Sequence, residues 1–206
     1  MRKDQNASRE GYLRENYHYF HLRDTAGQER DFHFHDFDKI VLLISGRVDY
    51  ALEDVTYTLQ PWDVLLVRRH TIHKAIIDVK EPYERIIIYL DRKFFDRAMP
   101  EARLMTCFDT AGYTGQYRLA PRGEARTALQ DVLQRFEAAL DSPLFGAQAM
   151  RDTLMMQLLI CVNRAAAAEQ PESREKLYDA KIEASLSYIN ENLSRELRVD
   201  TLAERV

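Results

Sequence analysis

The sequence predicts an α+β chain in which an antiparallel β-sandwich or β-barrel is followed by two long helices. Between residues 17 and 90, short runs rich in Val, Ile and Tyr are separated by tight turns, which is typical of antiparallel β-structure. After residue 91 this pattern stops, and from Pro121 the apolar residues recur with the period of a helix. A polar segment containing a proline, residues 169–176, then separates a third periodic stretch from the rest.

Length, charge and cysteine content narrow the class of protein. A chain of 206 residues can form one domain with a good core and a smaller attachment. The net charge of −4 gives no broad basic face, which disfavours nucleic-acid wrapping by this sequence itself. Cys107 and Cys161 lie far apart and indicate no disulfide framework, so we expect a cytoplasmic protein. We expect no membrane partner, because no run approaches the roughly 20 apolar residues that span a bilayer.

Seven runs in the first half have the composition and alternation of strands. In the first of them Tyr17, Tyr19 and His21 share one face, because successive strand side chains point to opposite sides. Turns are expected at residues 46–47 and 53–54. The expected strands cover residues 17–23, 40–45, 48–52, 55–59, 63–67, 73–79 and 85–90.

The second half is expected to be mostly helical. Residues 92–99 predict a short helix, whereas residues 107–117, with Gly112 and Gly115, predict an irregular loop. Pro121 suits an early position of the next helix. The apolar stripe of that helix is formed by Ala125, Leu129, Val132, Leu133, Phe136 and Leu140.

A further helix is predicted from Ala147 to Ala168, with apolar residues almost all round. Such a helix should be covered on more than one side. The barrel could cover one side and a partner subunit the other, or the neighbouring helix could cover everything. We predict a homodimer through these two helices, with the interface formed by Leu129, Leu133, Phe136, Leu154 and Leu158.

Three histidines are the best candidates for a functional site. His33 and His35 lie one residue apart, so on a strand they point to the same side. His73 arrives after a turn and another apolar strand, and can meet them inside a small barrel. The arrangement indicates either a metal site or a ligand pocket.

These histidines also carry a resemblance to a known family. His33-x-His35, followed by Lys39 and Gly46, resembles the first cupin motif, in which glutamate normally occupies the Lys39 position. Residues 61–63 (Pro-Trp-Asp), followed by His73, are similar to the second motif, with tryptophan where glycine is usual. Residues 182–206 resemble the start of the paired helix-turn-helix domain of the AraC/XylS transcription regulators. The resemblance to that family covers nearly the whole chain.

The resemblance implies a fold and a function. The fold would be an antiparallel cupin (jelly-roll) barrel, an antiparallel helical pair and the first helices of a truncated helix-turn-helix domain. The chain would be the effector-sensing and dimerisation region of a regulator, not an enzyme, and would contact DNA only through a C-terminal domain of which the sequence contains the beginning. The expected division is residues 1–118 for the barrel, 119–168 for the helices, 169–178 for a linker and 179–206 for the helix-turn-helix domain.

A small-molecule effector would bind in the mouth of the barrel. Lys39 indicates an anionic or hydroxylated ligand, because a buried ammonium needs a charge or acceptors as partners. Alternatively, Lys39 reaches out of the barrel or pairs with a nearby acid. The candidate ligand-binding residues are His33, His35, Lys39, Trp62, His73 and Tyr89.

A bound metal is the competing interpretation. By resemblance, the ligands would be His33, His35 and His73, a set suited to a divalent transition metal such as zinc, nickel or iron. Lys39 opposes this, because an ammonium has no lone pair and repels a cation. The alternative function is a metal-dependent cupin enzyme, an isomerase or a dioxygenase, using the same three histidines. In the simplest case they are hydrogen-bonded pocket residues and no cofactor is required.

Overall fold

The computed structural model describes residues 8–9, 11–24, 31–77, 82–169 and 200 of the chain. Residues 1–166 form one compact unit and residues 167–206 a second. The described strands are β1 Ser8–Arg9, β2 Tyr17–Asp24, β3 His33–Phe34, β4 Asp38–Ser45, β5 Val48–Leu52, β6 Val55–Leu59, β7 Val64–Val67, β8 His73–Ile77, β9 Tyr83–Leu90 and β10 Arg118–Leu119. The described α-helices are α1 Arg92–Ala98, α2 Thr106–Thr114, α3 Glu124–Leu140 and α4 Ala147–Ala168.

The strands form two five-stranded sheets in a jelly-roll β-sandwich. The order is β1-β3-β8-β5-β6 in the first sheet and β10-β7-β4-β9-β2 in the second. All pairs are antiparallel except β1 with β3. The predicted order of antiparallel β-structure followed by helices is confirmed.

The β4–β5 turn depends on a glycine. Gly46 has a φ of +88°, a backbone conformation that residues with a Cβ rarely adopt. A Cβ at this position would also collide with the carbonyl oxygen of Pro82 at the start of β9. The turn predicted at residues 46–47 is therefore confirmed, and it lets the two chain segments approach closely.

The second sheet has two different faces, and each has its own neighbours. On β9, Ile86, Ile88 and Leu90 are at most 2% exposed. Because Ile88 is paired with Tyr19 of β2 in the antiparallel register, the two side chains lie on the same side of the sheet, which is the helix side. The intervening residues of both strands face the other sheet. The sequence alternation seen in residues 17–23 thus separates a helix side from an inner side.

The helices agree with the sequence in part. Helix α4 has the predicted bounds, whereas α3 begins at Glu124, with Gly123 and not Pro121 next to its start. The irregular loop predicted for residues 107–117 is wrong, because most of that range forms α2. The two glycines that suggested a loop have other roles. Gly115 ends the helix at a φ of +72°, and Gly112 leaves room for the Arg68 side chain.

The interface prediction needs a correction. Leu129, Leu133 and Phe136 of α3 and Leu154 and Leu158 of α4 are each at most 3% exposed in the single chain. They pack into its own hydrophobic core, so they present no surface to a second copy. The chain itself covers these helix faces. This agrees with the second possibility given above, in which no partner subunit is needed to cover them.

The predicted linker and the two helices after it lie almost wholly outside the described residues. Among the helices that are described, none combines the length and the apolar character needed to cross a membrane.

Candidate functional site

A cavity of about 450 Å³ lies between the two sheets and receives side chains from both. This volume is within the range of small-molecule sites. Its lining is polar at one end, apolar in the middle and polar again at the other end. The lining residues are Gly11, Phe20, Leu22, Asp24, His33, His35, Lys39, Tyr50, Ala75, Ile77, Tyr83, Arg85, Ile87 and Tyr89.

Three imidazoles and one ammonium meet at the first polar end. His33 of β3 lies directly opposite His73 of β8, with ring centroids 4.3 Å apart. The ring of His35, in the connection from β3 to β4, lies 4.9 Å from that of His73. Lys39 of β4, in the other sheet, places its Nζ 2.7 Å from His73 Nε2. All four side chains are buried.

Backbone carbonyls fix the tautomers of these imidazoles. His33 Nδ1 is 2.9 Å from the carbonyl oxygen of Asp31, and His73 Nδ1 is 2.9 Å from that of Thr71. His35 Nδ1 is 2.6 Å from the carbonyl oxygen of residue 37. Because a carbonyl oxygen only accepts, each Nδ1 carries the proton and each Nε2 presents a lone pair. His73 Nε2 accepts a hydrogen bond from Lys39, whereas His35 Nε2 is buried and has no hydrogen-bond partner among the described residues.

Burial and a nearby positive charge keep two of the rings neutral. Desolvation, followed by the positive charge of Lys39, lowers the pKa of His35 to about 3. The same two causes, in the same order, lower the pKa of His73 well below its ordinary value. A neutral His73 can accept a hydrogen bond from an ammonium, so a protonated Lys39 and an uncharged His73 suit each other.

Apolar and aromatic groups form the middle of the cavity. Phe20 and Leu22 come from β2, and Ile87 comes from β9. The ring of Tyr89 lies 5.2 Å from that of Phe20 and 4.3 Å from that of Phe37, centroid to centroid. This wall suits an apolar or aromatic part of a ligand.

An ion pair closes the far end. The guanidinium of Arg85 donates a hydrogen bond to the carboxylate of Asp24 and lies 4.4 Å above the ring of Tyr83. The charges of Arg85 and Asp24 compensate each other. This end of the cavity therefore carries no net charge from the pair, unlike the end that contains Lys39.

Four of the six residues predicted to bind a ligand line the cavity: His33, His35, Lys39 and Tyr89. His73 is not part of the lining, but it lies directly behind it, in contact with His33, His35 and Lys39. Trp62 lies elsewhere, in the β6–β7 turn, where it packs half-buried against the core. Its φ of +73° explains why glycine is usual at this position of the second cupin motif.

Several lining residues were not among the predicted site residues. Phe20, Leu22 and Asp24 of β2 lie on the face opposite Tyr17, and Arg85 and Ile87 share their face of β9 with Tyr89. The alternation of β2 and β9 contains this information. Alternation alone does not say which of the two faces points into the cavity. One residue known to point inwards decides this, and Lys39 is such a residue because it pairs in register with Tyr89 of β9.

A metal ion does not fit this arrangement. Among the residues that the structure describes, no three His, Cys, Asp or Glu side chains are placed to hold one ion. Lys39 donates to the His73 lone pair that a metal would need, and its ammonium would stand next to a divalent cation. Asp38 cannot substitute, because it points away from the cavity and accepts hydrogen bonds from Arg69 N–H and Arg92.

The opposite face of β2 is bonded to the helical pair. The Tyr17 hydroxyl donates to Asp152 of α4 at 2.8 Å, and the Tyr19 hydroxyl donates to Glu137 of α3 at 2.6 Å. His21 Nδ1 is also 2.7 Å from Glu137. Burial, then the bond to Glu137, raises the pKa of Tyr19, so this hydroxyl keeps its proton and remains a donor. One strand therefore contacts both the cavity and the helices.

Comparison with known proteins gives one strong match. The sequence matches the AraC-like ligand binding domain family over residues 16–159. No curated protein matches it.

Similar solved structures cover a smaller part of the chain. One is a cupin-2 domain containing protein from Shewanella frigidimarina, with 22% identity, 39% of this chain and 76% of that chain covered, and a TM-score of 0.32. A cupin 2 conserved barrel domain protein from Salinispora arenicola gives 15% identity, 41% and 71% coverage and a TM-score of 0.35. A cupin-like protein from Thermotoga maritima gives 18% identity, 38% and 60% coverage and a TM-score of 0.35. Likenesses this weak carry no argument about function.

We expect stability to fall with acidification. The pKa of His35 is lower in the folded chain than in the unfolded chain, so the unfolded chain binds more protons below about pH 6.5 and stability is lost as the pH falls from there towards 3. At about pH 5 this residue alone should cost ~2 kcal/mol relative to pH 7, and His73 acts in the same direction. Urea unfolding at the two pH values measures the difference.

The His35→Phe variant should lose about that part of the pH dependence, and His70→Gln, which changes an exposed histidine, should keep it. Equal pH dependence in wild type and His35→Phe would contradict a neutral, buried His35.

Metal content tests the assignment of His33, His35 and His73. We expect purified wild type to retain no stoichiometric zinc, nickel or iron, because Lys39 competes for the site. The Lys39→Glu variant replaces the ammonium by a ligand and should acquire metal. Elemental analysis after dialysis measures both. Stoichiometric metal in wild type that disappears in His35→Ala would instead favour the metal interpretation.

Proposed function

Because the chain belongs to the AraC-like ligand binding domain family, we propose that it is the effector-sensing region of an AraC-like transcription regulator. A small-molecule effector binds in the cavity between the sheets. Binding changes how the helical pair presents a DNA-binding region that begins within residues 179–206. The protein acts in the cytoplasm, and its two cysteines, which are free thiols, fit a reducing compartment.

The single observation that carries this proposal is the cavity itself. It has the volume of a small-molecule site, a mostly apolar wall and a polar end where a buried acceptor and a buried ammonium adjoin the same ring. The family match covers β2 to β10, α3 and most of α4, so every residue of the cavity lining except Gly11 lies within it.

Strand β2 can couple the cavity to the helices. Phe20 and Leu22 contact the cavity, while Tyr17 and Tyr19 on the same strand bond to α4 and α3. A ligand that binds one position of β2 better than another therefore favours one arrangement of the helices. Only such a difference in affinity can produce regulation.

We propose that the protein binds its effector without turning it over. Catalysis would need an acid–base group or a metal next to the ligand. Here the imidazole of His73 is engaged by Lys39, and burial keeps the pKa of both His73 and His35 low. Metal-dependent isomerase or dioxygenase chemistry is therefore not part of the proposal.

A homodimer remains part of the proposal, with a different surface from the one first predicted. The loop between α3 and α4 carries exposed apolar side chains: Leu144 is 74% exposed and Phe145 fully so. Leu140 and Met150 at the adjoining helix ends are also exposed. Exposed apolar groups in one region are typical of protein–protein contacts.

The effector response should depend on the bond between β2 and α3. Tyr19→Phe removes the hydroxyl that donates to Glu137 and leaves the cavity face of β2 unchanged. With a ligand found by thermal-shift screening of metabolites, we expect wild type joined to its DNA-binding region to change its DNA affinity by about tenfold, an ordinary coupling energy. In Tyr19→Phe, ligand affinity should stay within about twofold, and the DNA response should shrink, since a hydrogen bond is worth ~1 kcal/mol.

Fluorescence anisotropy with labelled promoter DNA measures the response, and calorimetry measures ligand affinity. Tyr57→Phe is the control, because its hydroxyl donates to the carbonyl oxygen of Gly115 and so contacts neither Glu137 nor Asp152. A ligand that binds tightly but leaves the DNA affinity of wild type unchanged would refute the sensing mechanism.

Sedimentation velocity at micromolar concentration tests the dimer. We expect wild type to be dimeric and Phe145→Glu to be monomeric with an unchanged melting temperature, because this side chain contributes nothing to the core of its own chain. Arg135→Glu, on the exposed face of α3, is the control. Monomeric wild type would rule out the dimer.

A further inference from the structure

His21 lies between two carboxylates that belong to different elements. Its Nδ1 is 2.7 Å from Glu137 of α3, and its Nε2 is 2.9 Å from Glu84 of β9. The ring itself is on β2, on the face opposite Phe20 and Leu22, which line the cavity. One side chain therefore joins three elements: the strand that reaches the cavity, the neighbouring strand and a helix.

Both contacts of His21 can form together only when the ring carries two protons. An ionised carboxylate has acceptors and no donor, so each ring nitrogen must supply an N–H. A neutral imidazole has one N–H and one lone pair, and that lone pair would face a carboxylate oxygen. The arrangement is therefore that of an imidazolium with two charge-assisted hydrogen bonds, and removing one proton breaks one of them.

Among the described residues, the charged and titratable groups around the ring come from three elements. Tyr19, on the same face of β2, donates its hydroxyl to Glu137, and burial raises its pKa so that it stays protonated. Arg23, also on β2, is the register partner of Glu84. With Glu84 on β9 and Glu137 on α3, two carboxylates face the ring. Of these residue types, histidine is the one that changes charge near neutral pH.

Water has access to the ring, because 38% of the His21 side chain is exposed. Protons can thus bind and leave while the chain stays folded, unlike at the buried His35. The direction of the effect is also opposite. Acid favours the doubly protonated ring and both hydrogen bonds of His21, whereas it opposes the neutral state that the folded chain requires of His35.

We propose that a proton bound at His21 is a second regulatory signal, which ties β2 to both β9 and α3, and whose release at alkaline pH weakens the response of the helical pair to a ligand in the cavity. This inference rests on the proposed function, because β2 is the strand through which that function couples the cavity to α3. At acid pH both hydrogen bonds hold the strand, so a shift of β2 moves α3. At alkaline pH one of them is lost.

Double-mutant cycles measure the two contacts. One cycle combines His21→Ala with Glu137→Ala, and the other combines His21→Ala with Glu84→Ala. Urea unfolding gives each coupling at about pH 6 and at about pH 8.5, on either side of the range in which histidine changes charge. At the lower pH we expect each pair to contribute about fivefold to the unfolding equilibrium constant, the upper end for exposed ion pairs. At the higher pH the two contributions together should be smaller by about fivefold or more, because a neutral ring can donate to only one carboxylate.

Two controls isolate the effect of the proton. His21→Arg keeps a positive charge and several N–H donors at both pH values, so its coupling to the two carboxylates should not change with pH. The contact of 2.9 Å between Arg92 and Asp109 should also keep its coupling, because its cation is a guanidinium. If the combined coupling of His21 is the same at both pH values, the proposal is wrong.

Nitrogen NMR of the wild-type chain tests the same point without any substitution. With ¹⁵N-labelled histidine, both ring nitrogens of His21 should carry a proton at about pH 6, and one should lose it as the pH rises. The backbone amides next to Glu137 in α3 and next to Glu84 in β9 should shift with the same midpoint. Titration of the ring without an accompanying shift in α3 would contradict transmission to the helix.

The DNA response distinguishes this proposal from the function on which it rests. With the metabolite found by thermal-shift screening, we expect DNA affinity to change about tenfold at the lower pH and less than about threefold at the higher pH. His21→Arg should respond equally at both pH values. His70→Gln changes another exposed histidine near a carboxylate and should behave as wild type.

Two further outcomes separate the two failures. A wild-type response that is present and equal at both pH values would overturn the role of the proton and leave the sensing function standing. If the cycles show the expected loss with pH but no bound metabolite alters DNA affinity at either pH, the sensing function fails and the regulatory role of the proton with it, while the proton-dependent contact of His21 stands.

Discussion

The hydrogen bond between the Lys39 ammonium and His73 Nε2 is the constraint on which the site depends. It joins β4 of one sheet to β8 of the other, inside the space that the two sheets enclose. A buried ammonium needs an acceptor, and His73 supplies one only while it is neutral with its proton on Nδ1. The carbonyl oxygen of Thr71 holds that proton in place. The same bond uses the lone pair of His73 that a metal would require, at the position where the first cupin motif normally has glutamate in place of Lys39.

The second sheet connects this pocket to the helices because its two faces are packed differently. On the helix side, Ile86, Ile88 and Leu90 are almost completely buried, whereas Ile87 and Tyr89 on the inner side are only half-buried. A close-packed face moves as a unit, because displacing one side chain displaces its neighbours. The inner face has room for a guest. Under the proposed function, a small shift of β2 caused by a bound ligand would be transmitted to α3 through packed side chains and through the Tyr19–Glu137 hydrogen bond.

Much of the architecture could be predicted from the sequence, since it follows from patterns that are local. Alternation identified the strands, and a stretch with apolar residues on almost every side of a helix, residues 147–168, identified α4 with its bounds. The convergence of His33, His35 and His73 also followed from alternation and a tight turn. What failed depends on distant neighbours. Gly112 suggested a loop, because glycine is rare inside helices. Its real role is to leave room for the Arg68 side chain, a contact that exists only in the folded chain. Leu129 and Leu154 look the same in sequence whether a partner or the chain's own core covers them. The hydrogen bonds that fix the imidazole tautomers arise from backbone carbonyls, which no residue pattern reveals.

Trp62, the sole tryptophan of the chain, has a practical consequence for spectroscopy. Its indole is outside the cavity lining, so a ligand bound in that cavity would not touch the main intrinsic fluorophore and would not quench it by contact. Its backbone N–H, however, donates to the carbonyl oxygen of Leu43 on β4, the strand that also carries Lys39. A change in tryptophan emission upon titration would therefore report displacement of β4 and not occupancy. Comparing the fluorescence titration with a calorimetric titration would therefore separate displacement of β4 from ligand binding.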